Sequence, residues 1–207
     1  MKAAILGRKV GMTTLYSEEG KQVPVTLIQA GPCPIVKVRT QEKDGYKAVQ
    51  VGYEEVSENK VNKPVLGQFK SSNVKPHRIL KEFRELEGEH KVGDKITVET
   101  FSIGDKVRIS GTAKGRGFQG VVKRHHFGGI GMVTHGQSDR LRHPGSIGAS
   151  SYPSRVLKGL RMAGRMSGKR TSVLNLEVVD IYPEQNLILI KGSVPGAKNG
   201  LLEIVKS

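Results

Sequence analysis

At 207 residues the chain is long enough for one or two domains with a real core, but with aromatics at 5% and no Trp that core must rest on Val, Ile and Leu. Lys and Arg outnumber Asp and Glu by 34 to 19, and the resulting +15 charge points to nucleic acid or an anionic membrane surface. A membrane is excluded on two grounds: no apolar run reaches 18 residues, and the basic residues lie in Gly-broken sequence rather than on one face of a long helix.

MKAAILGRKVGM has too short an apolar core for a signal peptide, and a lone Cys33 allows no intramolecular disulfide, so a reducing cytosolic setting is expected. From the N-terminus the pattern is β. Ala4–Leu6, Met12–Tyr16, Val23–Gln29, Ile35–Arg39 and Ala48–Tyr53 are short runs rich in β-branched residues, several alternating with polar ones. Glu19-Gly20 and Asp44-Gly45 read as hairpin turns between them. Cys33, in this apolar context with no His nearby in sequence, reads as a packed side chain rather than a nucleophile.

Between Pro76 and Leu86 the apolar residues Ile79, Leu80, Phe83 and Leu86 recur at helical spacing, with Lys81, Glu82, Arg84 and Glu85 facing out. The spacing predicts one amphipathic helix, approached through polar Ser57–Asn62 and Gly67–Ser72. Strand signals resume at Ile96–Phe101 and Lys106–Ile109, then stop near Ser110. They return at Ser172–Ile181, Leu187–Lys191 and Leu201–Val205, with a turn at Pro183–Asn186 and a loop at Val194–Gly200. The fold class is therefore mainly β: an antiparallel β-barrel over residues 1–57, 93–112 and 171–207, a small helical insertion over 58–92, and a long irregular central extension over 113–170.

The charge is concentrated in that extension. From Lys106 to Arg170 there are fourteen Lys and Arg against one acid, Asp139, whereas the other 142 residues hold 20 basic and 18 acidic groups. Thirteen of the 26 glycines fall here and long apolar runs are missing, so the stretch cannot offset its own ordering entropy by burial. A solvated basic tail would be terminal and poor in aromatics. This run is internal and contains Phe118, Phe127, Tyr152, four His and three Met. A polyanion whose phosphates neutralise the cations is the partner that fits.

Gly115-Arg-Gly-Phe-Gln-Gly120 matches a dinucleotide-binding fingerprint in form, but that motif needs a buried strand before it and a long helix after it. A nucleotide-dependent enzyme using this loop is the alternative reading. Here Gly115, Gly117 and Gly120 read better as allowing close approach to a phosphate chain that Lys114, Arg116, Lys123 and Arg124 would contact. His125, His126, His135 and His143 match no zinc spacing and read as base- or ribose-contacting groups, so no metal or cofactor is expected. Ser146, Ser150 and Ser151 have no local activator, and no acid/base pair can be built on Asp139 alone; no catalytic residue is assigned. Arg140, Arg142, Arg155, Arg161 and Arg165 suit RNA through fork and stacking geometry. Phe118, Gln119, Ser146, Tyr152, Lys158, Lys169 and Arg170 complete the candidate interface. Met162 and Met166 sit among glycines that disfavour a helix.

Several of these segments together carry a family resemblance: Gly7-Arg-Lys-Val-Gly-Met-Thr13, Ala30-Gly-Pro-Cys-Pro34, Gly115–Gly120 with Lys123-Arg-His-His-Phe127, Pro144-Gly-Ser-Ile-Gly-Ala149, Lys158-Gly-Leu-Arg-Met-Ala-Gly164 and Val194-Pro-Gly196. In this order, end to end, the chain resembles the bacterial ribosomal protein L3 (uL3) family. The resemblance implies a barrel of the translation-protein type and binding of 23S rRNA early in large-subunit assembly. It also implies a tip near His143–Pro153 directed toward the peptidyl-transferase centre, with ribosomal proteins L14 and L19 as neighbours. A methylated Gln found in some members falls at Ala149 here, so that modification is not expected.

Overall fold

The computed structural model describes residues 3–84, 86, 88, 90–131, 135–136 and 140–206; Glu85 and Asp139 lie outside the described residues. In chain order its strands are β1 (Ala4–Tyr16), β2 (Gln22–Ala30), β3 (Cys33–Arg39), β4 (Ala48–Glu55), β5 (His77–Phe83), β6 (Lys95–Ile96), β7 (Lys106–Thr112), β8 (Phe118–Gln119), β9 (Gly164–Arg165), β10 (Arg170–Tyr182), β11 (Leu187–Lys191) and β12 (Leu201–Lys206). The helices are α1 (Gln41–Asp44), α2 (Lys63–Ser71) and α3 (Val121–His125). The chain forms two compact units, residues 1–113 with 170–207, and residues 114–169.

In the first unit six antiparallel strands close the expected barrel in the order β1-β12-β7-β10-β11-β2. Alternation puts Val107 and Ile109 of β7, Ile188 and Ile190 of β11, and Leu202 and Ile204 of β12 in the interior, all fully buried. The two N-terminal runs are one strand, because Gly7–Thr13 continues β1 through a bulge between Lys9 and Gly11. The strands of residues 33–55 pair outside the barrel, in a second sheet ordered β5-β4-β3-β6. One apolar cluster, including Ile5, Leu6, Cys33, Ile35, Val51, Phe83 and Ile109, joins this sheet to the barrel. Burial in that cluster pushes the Cys33 thiol up to about 12, and its Sγ lies 3.7 Å from the Leu6 carbonyl, so the residue packs as the sequence indicated.

The helix expected over Pro76–Leu86 is a strand. Residues 77–83 pair with β4 in register Val49↔Phe83 to Glu55↔His77, and the ladder hydrogen bonds override the helical spacing. The helix of this region is α2, in the stretch read as polar approach. Pro64 in its first turn and a fully buried Phe69 hold it, and Ser72 Oγ donates to the Val36 carbonyl at 2.7 Å. Gly67 at its centre hid the pattern. The strand expected over Ile96–Phe101 ends at Ile96, where a 3-10 turn over Val98–Thr100 takes the chain over. Asp44-Gly45 is the end of a one-turn helix, with Gly45 at φ 77°, rather than a two-residue hairpin.

Several of the segments that carry the family resemblance brace the mouth of the barrel. Lys9 is buried and its Nζ donates to the Val194 carbonyl at 3.1 Å, while Arg8 forks onto Glu54 of β4, with Nη2 2.9 Å from Oε2. Gly196 has φ +95°, and a Cβ there would lie 2.9 Å from the carbonyl oxygen of Thr112, the last residue of β7. Thr112 in turn pairs with Arg170, the first residue of β10. The chain thus leaves and re-enters the barrel at one cross-strand pair.

Glu203 of β12 fastens this pair. Its side chain is only 12% exposed and receives Lys81 Nζ at 2.8 Å and Arg170 Nη2 at 2.5 Å. Burial alone would raise the carboxyl pKa, but the hydrogen bonds from Arg170 and Lys81 outweigh it and hold the group below the usual carboxylate range. A carboxylate with a depressed folded pKa adds stability that is fully present above its unfolded pKa and lost as pH falls through the folded one. Glu203→Gln is therefore expected to cost about 1–2 kcal/mol near neutral pH, in thermal or urea unfolding, with the gap to wild type closing below about pH 4. A gap that persists undiminished at acid pH would show that the charge is not what stabilises the pair.

Candidate nucleic-acid interface

The second unit has almost no core. Among its described residues only Val121 is buried, in a segment of 56 residues that carries eleven Lys and Arg and one acid. Among the described residues, regular structure is confined to its root and one helical turn. β8 and β9 pair antiparallel, Phe118 with Arg165 and Gln119 with Gly164. The ribbon continues from that pair toward the two ends of the segment through Arg116 N–H to the Met166 carbonyl at 3.0 Å and Met166 N–H to the Gly117 carbonyl at 2.9 Å. Gly115 and Gly168 continue the close approach, since a Cβ on Gly168 would lie 3.6 Å from the Gly115 Cα.

These contacts refine the role of the glycines. The sequence assigned Gly115, Gly117 and Gly120 to close approach by phosphate; Gly115 instead packs on Gly168 of the same unit, and Gly117 has the positive φ of 69° that the ribbon bend uses. Gln119 Nε2 donates to the Arg116 carbonyl and so braces that bend. After Gly120 the helix α3 lasts five residues and ends at His126 with φ 61°, too short for a dinucleotide-binding fold. Arg124 Nη1 donates to the Met162 carbonyl at 2.7 Å and His125 Nε2 lies 3.1 Å from the same oxygen, so α3 is held to the returning chain just before β9. The His125 and Phe127 ring centroids are 6.1 Å apart.

The structure thus gathers Lys114, Arg116, Gly117, Phe118, Gln119, Arg165 and Lys169 on the ribbon, and Lys123, Arg124, His125 and His126 on the helical turn beside it. Arg140, Arg142, His143, Ser146, Tyr152, Arg155, Lys158 and Arg161 are exposed and follow one another outside any helix or strand, as does exposed His135. Local contacts shape this reach: Gly129, at φ +71°, packs on the Leu141 carbonyl, and Ser146 Oγ donates to the Gly148 carbonyl at 3.0 Å. Tyr152 is 89% exposed. Arg170 belongs to the barrel unit, where it meets Glu203. Sequence reasoning missed Gly164 and the Met162 carbonyl, the anchors of Arg124. The motif ending at Gly164 was visible, but which side chain needed its missing Cβ was not.

Comparison with known proteins agrees with this architecture. The family model for ribosomal protein L3 matches residues 82–185. The large ribosomal subunit protein uL3 of Chlorobaculum tepidum is 53% identical over 206 residues, covering 99% of this chain and 98% of that one. That of Herpetosiphon aurantiacus is 52% identical over 211 residues, covering 100% and 97%. The chain belongs to the ribosomal protein L3 family. That membership confirms the resemblance read from the sequence, and L3 proteins are structural rather than enzymatic, which removes the nucleotide-enzyme alternative.

Because only Val121 is buried among the described residues of the L3 extension, its removal should spare the barrel. A chain in which residues 128–152 are replaced by a short Gly-Ser linker is expected to melt in one cooperative transition within a few degrees of wild type. Loss of cooperativity in calorimetry would make the extension part of the folding unit.

Proposed function

We propose that the chain is a structural constituent of the large ribosomal subunit, working in the cytoplasm, that binds 23S rRNA through residues 113–170 and helps nucleate subunit assembly. In this reading the barrel lies on the subunit surface, and the extension threads between rRNA helices with its tip, near His143–Pro153, directed toward the peptidyl-transferase centre. The observation that carries it is the coreless extension: twelve cations against one acid, with a single buried side chain among the described residues, a composition that needs a polyanion to order it.

Phosphate contact by those cations has a thermodynamic signature. Alanine at Arg140, Arg142 and Arg155 together is expected to weaken binding to a 23S rRNA transcript and to flatten the dependence of log K on log salt by about 0.7–0.9 for each phosphate contact removed. An unchanged slope would mean that these arginines do not meet phosphate.

Ribosomal proteins L14 and L19 are the neighbours this reading expects. In staged reconstitution the chain should enter before both and cross-link to each once they are present. Entry after them would remove the nucleating role.

A further inference from the structure

The β8–β9 ribbon has one face filled by its own unit and one left open. Gly164 lies opposite Gln119, and a Cβ at Gly164 would fall 2.5 Å from Nη1 of Arg124, so Arg124 occupies that side and reaches the Met162 carbonyl. Successive side chains of a strand alternate between faces. Phe118 and Arg165, the adjacent cross-strand pair, therefore share the opposite face, where facing Cβ atoms in such a pair stand about 4.5–5.5 Å apart. Phe118 is 76% exposed there, and Arg165 is exposed beside it.

A phenyl ring left in water forgoes the gain of burial, and the rest of its unit buries only Val121 among the described residues. The ring is also carried by the one part of the extension that has ladder hydrogen bonds among the described residues, rather than by the irregular reach. We propose that Phe118 and Arg165 form a stacking platform for a single unpaired RNA base, with the ring taking the base face and the guanidinium the adjoining phosphate or base edge. The surrounding charge selects this occupant over an apolar protein surface: Lys114, Arg116 and Lys169 lie on the same ribbon, and Asp139 is the only acid of the unit. A base inside a duplex has no free face to offer, so the ligand class is a bulged or single-stranded nucleotide. The platform rests on the rRNA-binding reading above.

Stacking and phosphate contact differ in salt dependence, because stacking releases no counterions. With the full chain and a 23S rRNA transcript, Phe118→Leu is expected to weaken binding about five- to a hundredfold at every salt concentration while leaving the salt slope unchanged. Phe118→Trp, which keeps an aromatic face, is expected to restore affinity. Equal affinity of Phe118→Leu and wild type overturns the platform and leaves the rRNA reading intact, as does failure of Phe118→Trp to restore what Phe118→Leu loses. Absence of salt-dependent binding by the wild-type chain overturns the rRNA reading and the platform with it.

Discussion

The pairing of β7 with β10 is the constraint on which the rest of the molecule depends. The register Arg170↔Thr112 closes the barrel and, through the same ladder, sets the two ends of a 57-residue excursion side by side. The entropy of closing a loop grows only with the logarithm of its length, about 0.6 kcal/mol per doubling. Once the ends are paired, a long extension burdens the barrel little more than a short one. The sensitivity moves to the pair itself, and the chain concentrates its bracing there. Gly196 gives room to the Thr112 carbonyl, Glu203 draws in Arg170 and Lys81, and Gly111 leaves space that a Cβ would contest with Leu202 at 2.7 Å. The β12 segment and the loop before it thus hold the root as well as closing the barrel.

Beyond that pair the physics changes from burial to charge. Two like charges about 10 Å apart in water repel by only about 0.4 kcal/mol, and physiological salt screens much of that. The extension is therefore not driven apart by its cations; it simply has nothing to collapse upon. Backbone hydrogen bonds in the β8–β9 ribbon and the grip of Arg124 on Met162 give local shape, while most arginines remain exposed to solvent. A large family of unmade contacts is what a polyanion can complete, and membership of a ribosomal family fits a segment built this way.

The barrel was legible because its strands bury alternate residues, as Val107, Ile109, Leu202 and Ile204 do, and that period survives in sequence. The second sheet was not distinguished from the barrel, because Ala48, Val49, Val51, Gly52 and Tyr53 of β4 are buried with little alternation and local pattern does not say by which sheet. The error over His77–Phe83 has the same root. Ile79, Leu80 and Phe83 satisfy a helical spacing, and only the non-local ladder to β4 decides against it. In the extension the partner's class was legible from charge, since charge needs no geometry to be counted. The internal fastening was not, because the Gly164 contact with Arg124 spans forty residues of sequence with no periodic trace.

That fastening bears on how affinity would divide along the extension. An arginine on irregular chain must lose its own rotamer freedom and order its backbone before it gains a phosphate, so each such contact returns only a part of its electrostatic attraction. A side chain on a hydrogen-bonded ribbon has its backbone already placed, and a phenyl ring has only two side-chain torsions left to fix. Contacts at the root would then set register, while contacts toward the tip would add salt-dependent affinity without defining position. On that division the ribbon, which carries Phe118 together with Arg116 and Arg165, offers placed contacts of both kinds, and the reach, with Arg140, Arg142, Arg155 and Tyr152, offers contacts that must first be ordered.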